Sequence, residues 1–533
     1  MENVDARQIS SHIWAMANEL RGTMDAGEYK TFILSFMFYR YLSEHQEQYL
    51  ISDELVECEE GQSVNDAYKE LVNDQGLDAC LQDISSALGY AIEPQDTWAT
   101  LVANVHAGDV EPGDYQRLFD NFNKHAELNR EAVEDFFGVF DDINLGDSRL
   151  GSSTASRAKA LGEVVKLVDQ IEFHDESGRD ILGEVYEYLI GKFAASAGKK
   201  GGEFYTPHEV SLILAKIVTL GLKKGHDAFS IYDPAMGSGS LLMTVRDEVP
   251  DGERQGAVRF YGQELNTTTY NLARMNLMMR GVKYDNMNLH NADTLETDWP
   301  DGPDSQGIDR PRMFDAVVAN PPYSANWDNN ERKLKDPRFA DYGKLAPKSK
   351  ADYAFVLHSL YHLNQEGTMA IVLPHGVLFR SAAEAKIRQT LIEKNYLHAV
   401  IGLPANLFYG TGIPTIILVF KKNRTTRDIL FIDASNEFEK GKNQNTLSTE
   451  QINKIVTTYA NWADVDKYAH VATLKEIEEN EYNLNIPRYV DTFEEEEEID
   501  INEVNQLLAK DDEEIAALEK EISEQLALLG IKM

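Results

Sequence analysis

Between about residue 180 and residue 435 the apolar positions gather into short runs separated by stretches of helical period. Seven runs have strand character: 229–233, 259–264, 314–320, 369–373, 399–403, 415–420 and 429–432. Amphipathic segments at 240–246, 268–280 and 352–363 lie among the earlier ones. Strands buried on both faces need continuous apolar runs, and their alternation with helices predicts a doubly wound, mainly parallel α/β sheet of Rossmann-like kind. Residues 1 to about 170 read as helical instead. Ile9, Ile13, Ala17 and Leu20 share one face, and Tyr29, Phe32, Ile33, Phe36 and Met37 form an aromatic stripe at helical spacing, expected in the core. Further helical stretches fall at 67–72 and 131–140. Beyond 440 the chain turns polar and helical again. After the acidic run 494–498, Ile501, Leu508, Ile515, Ile522 and Leu529 recur every seven residues; Val504 and Leu518 fall between them, and Asp511 and Gln525 interrupt that second series. This spacing fits a short coiled-coil or bundle helix, or an amphipathic helix packed on its own domain. Three regions follow: a helical N-terminal domain (1–170), an α/β domain (171–440) and an acidic, helical C-terminal region (441–533).

Composition narrows the class. With 43% hydrophobic residues in 533, a large core is available. Cys58 and Cys80 are the only cysteines, which excludes a disulfide framework or a cysteine-rich zinc site and fits a reducing cytoplasm. No apolar stretch approaches the ~20 residues that span a bilayer, and the first residues lack the pattern of a signal peptide. The net charge of -38 changes the picture more. Residues 491–533 hold 15 acids against 3 lysines, and the remaining chain still carries -26. A protein that binds DNA unaided usually has a basic face. Either another subunit supplies most phosphate contacts, or the substrate is not nucleic acid.

The chemistry centres on residues 314–323, where a strand-like run ends in Asn320-Pro321-Pro322-Tyr323. Neither proline can continue a central strand, so its carboxyl end opens into a rigid turn, where ligands sit in open α/β sheets. The turn offers two acceptors, the Asn320 side-chain carbonyl and the Pro321 backbone carbonyl, with the Tyr323 ring beside them. Such a set suits a planar amine, whose lone pair leaves conjugation as both N–H hydrogens are accepted. Taken alone, the motif could equally be a proline turn after a buried strand.

Three features upstream shift that balance. Asp233-Pro234-Ala235-Met236-Gly237-Ser238-Gly239 joins a strand to a helix through glycines that let backbone N–H groups approach a ligand. The next strand ends in Glu264-Leu265-Asn266, where a Rossmann-type site binds a ribose diol, and Asp293 follows with a carboxylate suited to an adenine amine. Each acid could instead cap a helix. As a set they come in order at the ends of successive strands, and no lysine follows the glycines, so this is not a Walker loop. The implied ligand is S-adenosylmethionine. His358 and His362 share a helical face, but with no third ligand in view a structural role is expected rather than a metal site.

This motif set resembles the amino-methyltransferases that modify exocyclic amines of DNA bases. Gly202-Glu203-Phe204-Tyr205-Thr206-Pro207-His208, upstream of the glycine loop, gives the circular order of their gamma class. Leu20-Arg21-Gly22, Glu28-Tyr29-Lys30, the run from Gly183 to Ile190 and the run from Asn483 to Tyr489 are similar to the modification (M) subunits of type I restriction–modification systems, over nearly the whole chain. The resemblance implies an S-adenosylmethionine-dependent methyltransferase fold acting on adenine N6 of a base flipped from double-stranded DNA. Asn320, Pro321, Pro322 and Tyr323 would be catalytic. Glu203, Phe204, Tyr205, Thr206, Pro207, His208, Asp233, Pro234, Met236, Gly237, Ser238, Gly239, Glu264, Asn266 and Asp293 would hold the cofactor, with no metal. It also implies a separate specificity (S) subunit that reads the DNA site, a second M copy and a restriction (R) subunit that can join. Met236 and Ser238 stand where other members carry small residues or Thr. The turn also serves enzymes acting on a glutamine amide or on RNA guanine, and it does not distinguish adenine from cytosine N4. A basic segment after it, with Arg332, Lys333, Lys335, Arg338, Lys344, Lys348 and Lys350, is either a mobile loop closing on the flipped nucleotide or a solvated loop; Lys199 and Lys200 pose the same choice.

Overall fold

The computed structural model describes residues 26–173, 181–197, 206–252, 256–299, 311–408, 411–442, 444–492 and 501–528. The expected helix face from Ile9 to Leu20, Lys199 and Lys200, Glu203 to Tyr205, the acidic run 494–498 and Leu529 lie outside them. The chain divides into two compact units, Met1–Val490 and Asp491–Met533.

The first unit is built on a nine-stranded sheet. Its strands are β1 (Phe229–Asp233), β2 (Val258–Glu264), β3 (Met287–Asn291), β4 (Phe314–Ala319), β5 (Leu363–Pro374), β6 (Leu397–Gly402), β7 (Thr415–Lys421), β8 (Ile429–Asp433) and β11 (Ala469–Ala472); β9 (Glu439–Lys440) and β10 (Asn445–Thr446) form a separate hairpin. The order is β11-β8-β6-β7-β5-β4-β1-β2-β3. Strands β3, β2, β1, β4 and β5 run parallel, while β7 is antiparallel to both β5 and β6. Strand order reverses between β1 and β4, which puts a crevice at their carboxyl ends. The expectation of a mainly parallel α/β sheet holds. Strand β3 escaped the sequence pattern because it is an edge strand in which Met287 and Leu289 alternate with Asn288 and His290.

Period-two alternation explains the uninterrupted apolar runs. Ile231, Ala316, Val318, Ala370 and Val372 point to one face, and Tyr232, Val317, Ala319, Met369, Ile371 and Leu373 to the other. Helices His208–Val218, Ser240–Glu248 and Thr267–Met279 cover the first face, and Asp352–Tyr361 and Ala383–Glu393 the second. The first core continues into the N-terminal helices, where Phe36, Tyr39, Phe119, Phe122 and Phe140 form an aromatic cluster. From Phe32 to Met37 the aromatic stripe is therefore core, as its spacing predicts. Residues 131–140 do not form one helix: only Val133–Phe136 is helical, and Gly138 turns to φ +69°. The carbonyls of Glu134, Asp135 and Phe137 accept instead from the buried Arg274 guanidinium at 2.9–3.2 Å, which fastens the helical region to the α/β unit.

In the second unit, Ile501–Leu528 is one helix. Leu508, Ile515, Leu518 and Ile522 are all more than half exposed, so its apolar seam is open to solvent.

Candidate active site

At the end of β4, Asn320 is buried and its amide is held from both sides. Its Nδ2 donates to Thr206 Oγ1 at 2.9 Å, and its Oδ1 accepts from the Tyr323 hydroxyl at 2.8 Å. The first bond joins the upstream motif to the proline turn across 114 residues of sequence. In this orientation Thr206 is the acceptor and Tyr323 the donor, leaving Oδ1 on the Tyr323 side. Burial, with the negative charge of Asp352 nearby, pushes the Tyr323 phenol well above its ordinary pKa, so it stays a donor at neutral pH. Phe408 stands edge-on to Tyr323, with ring centres 6.1 Å apart. Sequence reasoning missed Phe408, although its strand, like β4, runs out into a proline (Leu403-Pro404). It also missed Asp352, which accepts from Ser324 N at 2.8 Å and pairs with Arg380 at 2.8 Å, fixing the exit of the turn.

The expected cofactor residues from Asp233 to Gly239, Glu264, Asn266 and Asp293 lie at the ends of the neighbouring strands. Gly237 N donates to Glu264 Oε2 at 3.1 Å and Asn266 N to Glu264 Oε1 at 2.8 Å, so this acid ties the glycine loop to the end of β2. Asn266 caps the following helix through Thr269 N, and Asp293 accepts from Leu295 N at 3.0 Å. Thr294 Oγ1 reaches Pro234 O at 2.5 Å, closing the third loop onto the first. Gly237 and Gly239 take φ of +56° and +75°, a region that disfavours side chains. Asp233 is fully buried, and desolvation, offset in part by a hydrogen bond from Ala235 N and reinforced by Glu264, raises its carboxyl to about 8. The Met236 side chain is buried, its sulfur packed where a Cβ on Gly262 would lie. His208 is exposed in the first turn of its helix.

His358 and His362 do acquire a third neighbour, Asp298, with candidate ligand atoms all within 4.8 Å. Hydrogen bonds already engage them. His362 contacts Asp298 Oδ1 at 2.6 Å and Arg312 O at 2.7 Å, while His358 lies 2.7 Å from the Tyr232 hydroxyl and 3.1 Å from Arg338. Burial, His362 and Arg338 drive the His358 pKa well down. Burial raises the Asp298 pKa, but the His362 hydrogen bond, its charge and that of Arg338 bring it below the usual value. With a guanidinium 3.9 Å from Asp298, the cluster is a buried polar network that a metal ion would have to dismantle.

A Rossmann-like sheet with an Asn-Pro-Pro-Tyr turn beside a glycine loop and a row of strand-end acids defines an amino-group methyltransferase. Comparison with known proteins gives the family. The N-6 DNA methylase family model matches residues 177–498, and the HsdM N-terminal domain matches residues 9–168. The type I restriction enzyme MpnII methylase subunit of Mycoplasma pneumoniae is 39% identical, over 93% of this chain and 92% of its own length. The crystal structure of the type I restriction–modification methyltransferase subunit from Streptococcus thermophilus superposes with a TM-score of 0.83 at 43% identity, covering 92% of this chain and all of that one. The chain belongs to the methylase (M) subunits of type I restriction–modification systems, in the adenine N6 DNA methyltransferase family.

Proposed function

We propose that this chain methylates N6 of an adenine swung out of double-stranded DNA, at sites chosen by a separate specificity subunit. The observation carrying this reading is the doubly held Asn320 amide beside Tyr323 and Phe408. Asn320 Oδ1 has two lone pairs, so it can accept an amine hydrogen while keeping its bond from Tyr323. The Pro321 carbonyl accepts the second hydrogen. Together they draw the nitrogen lone pair out of the ring and aim it. Pro322 stiffens the turn, and Tyr323 and Phe408 offer aromatic walls to the base. Positioning of two bound reactants supplies much of the rate.

The strand-end residues fit S-adenosylmethionine by their chemistry. Asp233 and Glu264 accept from backbone N–H groups of a loop with no lysine or arginine from 233 to 240, and Asp293 stands just past the end of the next strand; these acid side chains suit an ammonium, a diol and an amine better than a polyphosphate. When bound, this cofactor supplies an electrophilic methyl group. We assign Asp233 to its ammonium, Glu264 to its ribose and Asp293 to its adenine. Pro234, Gly237, Ser238, Gly239 and Asn266 shape the loop around it, with Met236 acting through its packing on Gly262. Glu203, Phe204, Tyr205, Thr206, Pro207 and His208 are assigned to its methionine end. Thr206 has a second task, orienting Asn320. Thr206→Val is expected to lower kcat about tenfold and to weaken cofactor binding as well, while Thr206→Ser keeps both near normal, as read from single-turnover transfer and calorimetry.

The partners we assign are the S subunit, a second M copy and an R subunit that can join. The exposed seam of helix Ile501–Leu528 is the surface we assign to the S subunit's helices. We propose a three-part division at about 170 and 440; the break between the matched families falls at 168–177, while the second family match and the sheet's strand β11 both run past 440. Among the described residues no helix is long and apolar enough to cross a membrane, and Cys58 and Cys80 are unpaired; we place the protein in the cytoplasm. The test is methyl transfer from labelled S-adenosylmethionine to unmethylated DNA, with the chain alone and with the S subunit. Transfer to adenine only with the partner is the expected result. No transfer under either condition, despite bound cofactor, would overturn the reading in favour of a protein or RNA acceptor.

A further inference from the structure

The basic segment after the catalytic turn sorts its cations into two groups. Lys333 and Arg338 point inward. Lys333 Nζ donates to Leu295 O at 3.0 Å and pairs with Glu296 at 2.6 Å, and Arg338 donates to Thr294 O at 2.8 Å and pairs with Asp336 at 2.7 Å. Both are buried, so neither is available to a partner. Two of the seven charges are therefore anchors, which neither the closing-loop nor the solvated-loop expectation foresaw. Lys335, Lys344 and Lys348 are exposed and Lys350 half-exposed, and among the described residues none has a carboxylate within ion-pair distance. Arg332 is also exposed, 3.5 Å from Asp328.

The inward pair and the backbone hold the segment firmly. Ala351 N donates to Ala325 O and Trp327 N to Lys348 O, both at 3.0 Å, and Trp327 Nε1 reaches Pro347 O at 3.0 Å. This ladder sets Lys348 and Lys350 opposite residues that follow Tyr323 by two to four positions. The loop is therefore a built platform at the edge of the catalytic turn, rather than a length of chain waiting to close. The four lysines fall within one short segment, 335–350, of a chain of net charge -38, with Glu384 bearing electrostatically on Lys350. A polyanion running past the turn would be drawn to this local excess of positive charge.

We infer that Lys335, Lys344, Lys348 and Lys350, with Arg332, form a binding site for the phosphodiester backbone of the DNA whose base enters the turn. The inference rests on the proposed function and adds the surface that positions its substrate. These contacts carry no sequence information; they fix the duplex against the turn while the S subunit reads the bases.

The experiment uses the complex of the full chain with its S subunit. DNA affinity is measured against salt for the wild type, for Lys344→Gln/Lys348→Gln/Lys350→Gln, and for Lys223→Gln/Lys224→Gln as an exposed control pair. Each lost phosphate contact removes about 0.9 from the slope of log K against log salt, so the triple variant is expected to lower the slope by about 2 to 3. The loss should be equal on specific and unrelated duplexes. The control pair should leave the slope as it is. An unchanged slope in the triple variant, with wild-type methylation intact, overturns the phosphate site alone. Weakened assembly with the S subunit at an unchanged slope also overturns it, and assigns the lysines to a protein contact. Absence of DNA methylation by the wild-type complex removes the functional reading, and this site falls with it.

Discussion

Replacing Asn320 by alanine is expected to reduce methyl transfer about a thousandfold while leaving cofactor affinity within about twofold. The Asn320 side chain bonds to Thr206 and Tyr323 rather than to the three acids at the ends of β1, β2 and β3. On the proposed mechanism, truncation removes the acceptor that would prepare the amine and leaves the glycine loop intact. It also strands two part-buried hydroxyls, so a small loss of stability accompanies it. Asn320→Asp separates these effects. The aspartate keeps an acceptor toward the base, and the Thr206 hydroxyl can turn to donate rather than accept. It should retain far more activity than alanine. Single-turnover transfer to DNA, with cofactor binding measured by calorimetry and folding by thermal melting, reads all three. Equal rates for wild type and Asn320→Ala would remove the turn from the mechanism.

The turn is legible in the sequence because everything that makes it is local. Two prolines force a strand to stop, and a residue just before them must lie at a strand end, whatever the rest of the chain does. The same reasoning finds the glycine loop and Glu264, because glycine spacing and strand ends leave marks within about ten residues. Thr206 is visible only as a motif member. Its bond to Asn320 is not, because it joins segments 114 residues apart. Phe408 is hidden for the same reason: nothing near it in sequence says that its loop folds back on Tyr323. Charge counting is blind in a different way. Lys333 and Arg338 look identical to Lys344 and Lys348 in sequence, and only burial against Leu295 and Thr294 separates anchors from free charges. Strand β3 and the interrupted 131–140 segment escape where tertiary context overrides local pattern, at a sheet edge and beneath the Arg274 guanidinium.

The second large effect is expected at Asp233. In the free protein its carboxyl titrates at about 8, against an ordinary value of 3.8, so at neutral pH it is mostly protonated. Between those two values the native state binds a proton that the unfolded chain has released. The stability of the free protein therefore falls as pH rises from about 4, and the loss is complete above about 8. If Asp233 holds the cofactor ammonium as proposed, its charged form would be favoured in the complex and its proton released on binding. Cofactor affinity should then rise with pH up to about 8, by at most about tenfold per unit, while the free protein weakens over the same range. The two trends have opposite signs, so the gain in Tm on adding S-adenosylmethionine should be larger at pH 8 than at pH 6. Calorimetry at pH 7 in buffers of different ionisation enthalpy should record nearly one proton released. Asp233→Asn keeps the shape and abolishes the titration. It should bind the cofactor roughly a hundredfold more weakly, the loss expected for a charge-assisted hydrogen bond of about 1.5–3 kcal/mol, and release no proton. A variant that still released the proton would move the titration to Glu264, the other carboxylate whose charge bears on Asp233. In that case the ammonium would belong beside β2 and the assignment of the two acids would be exchanged.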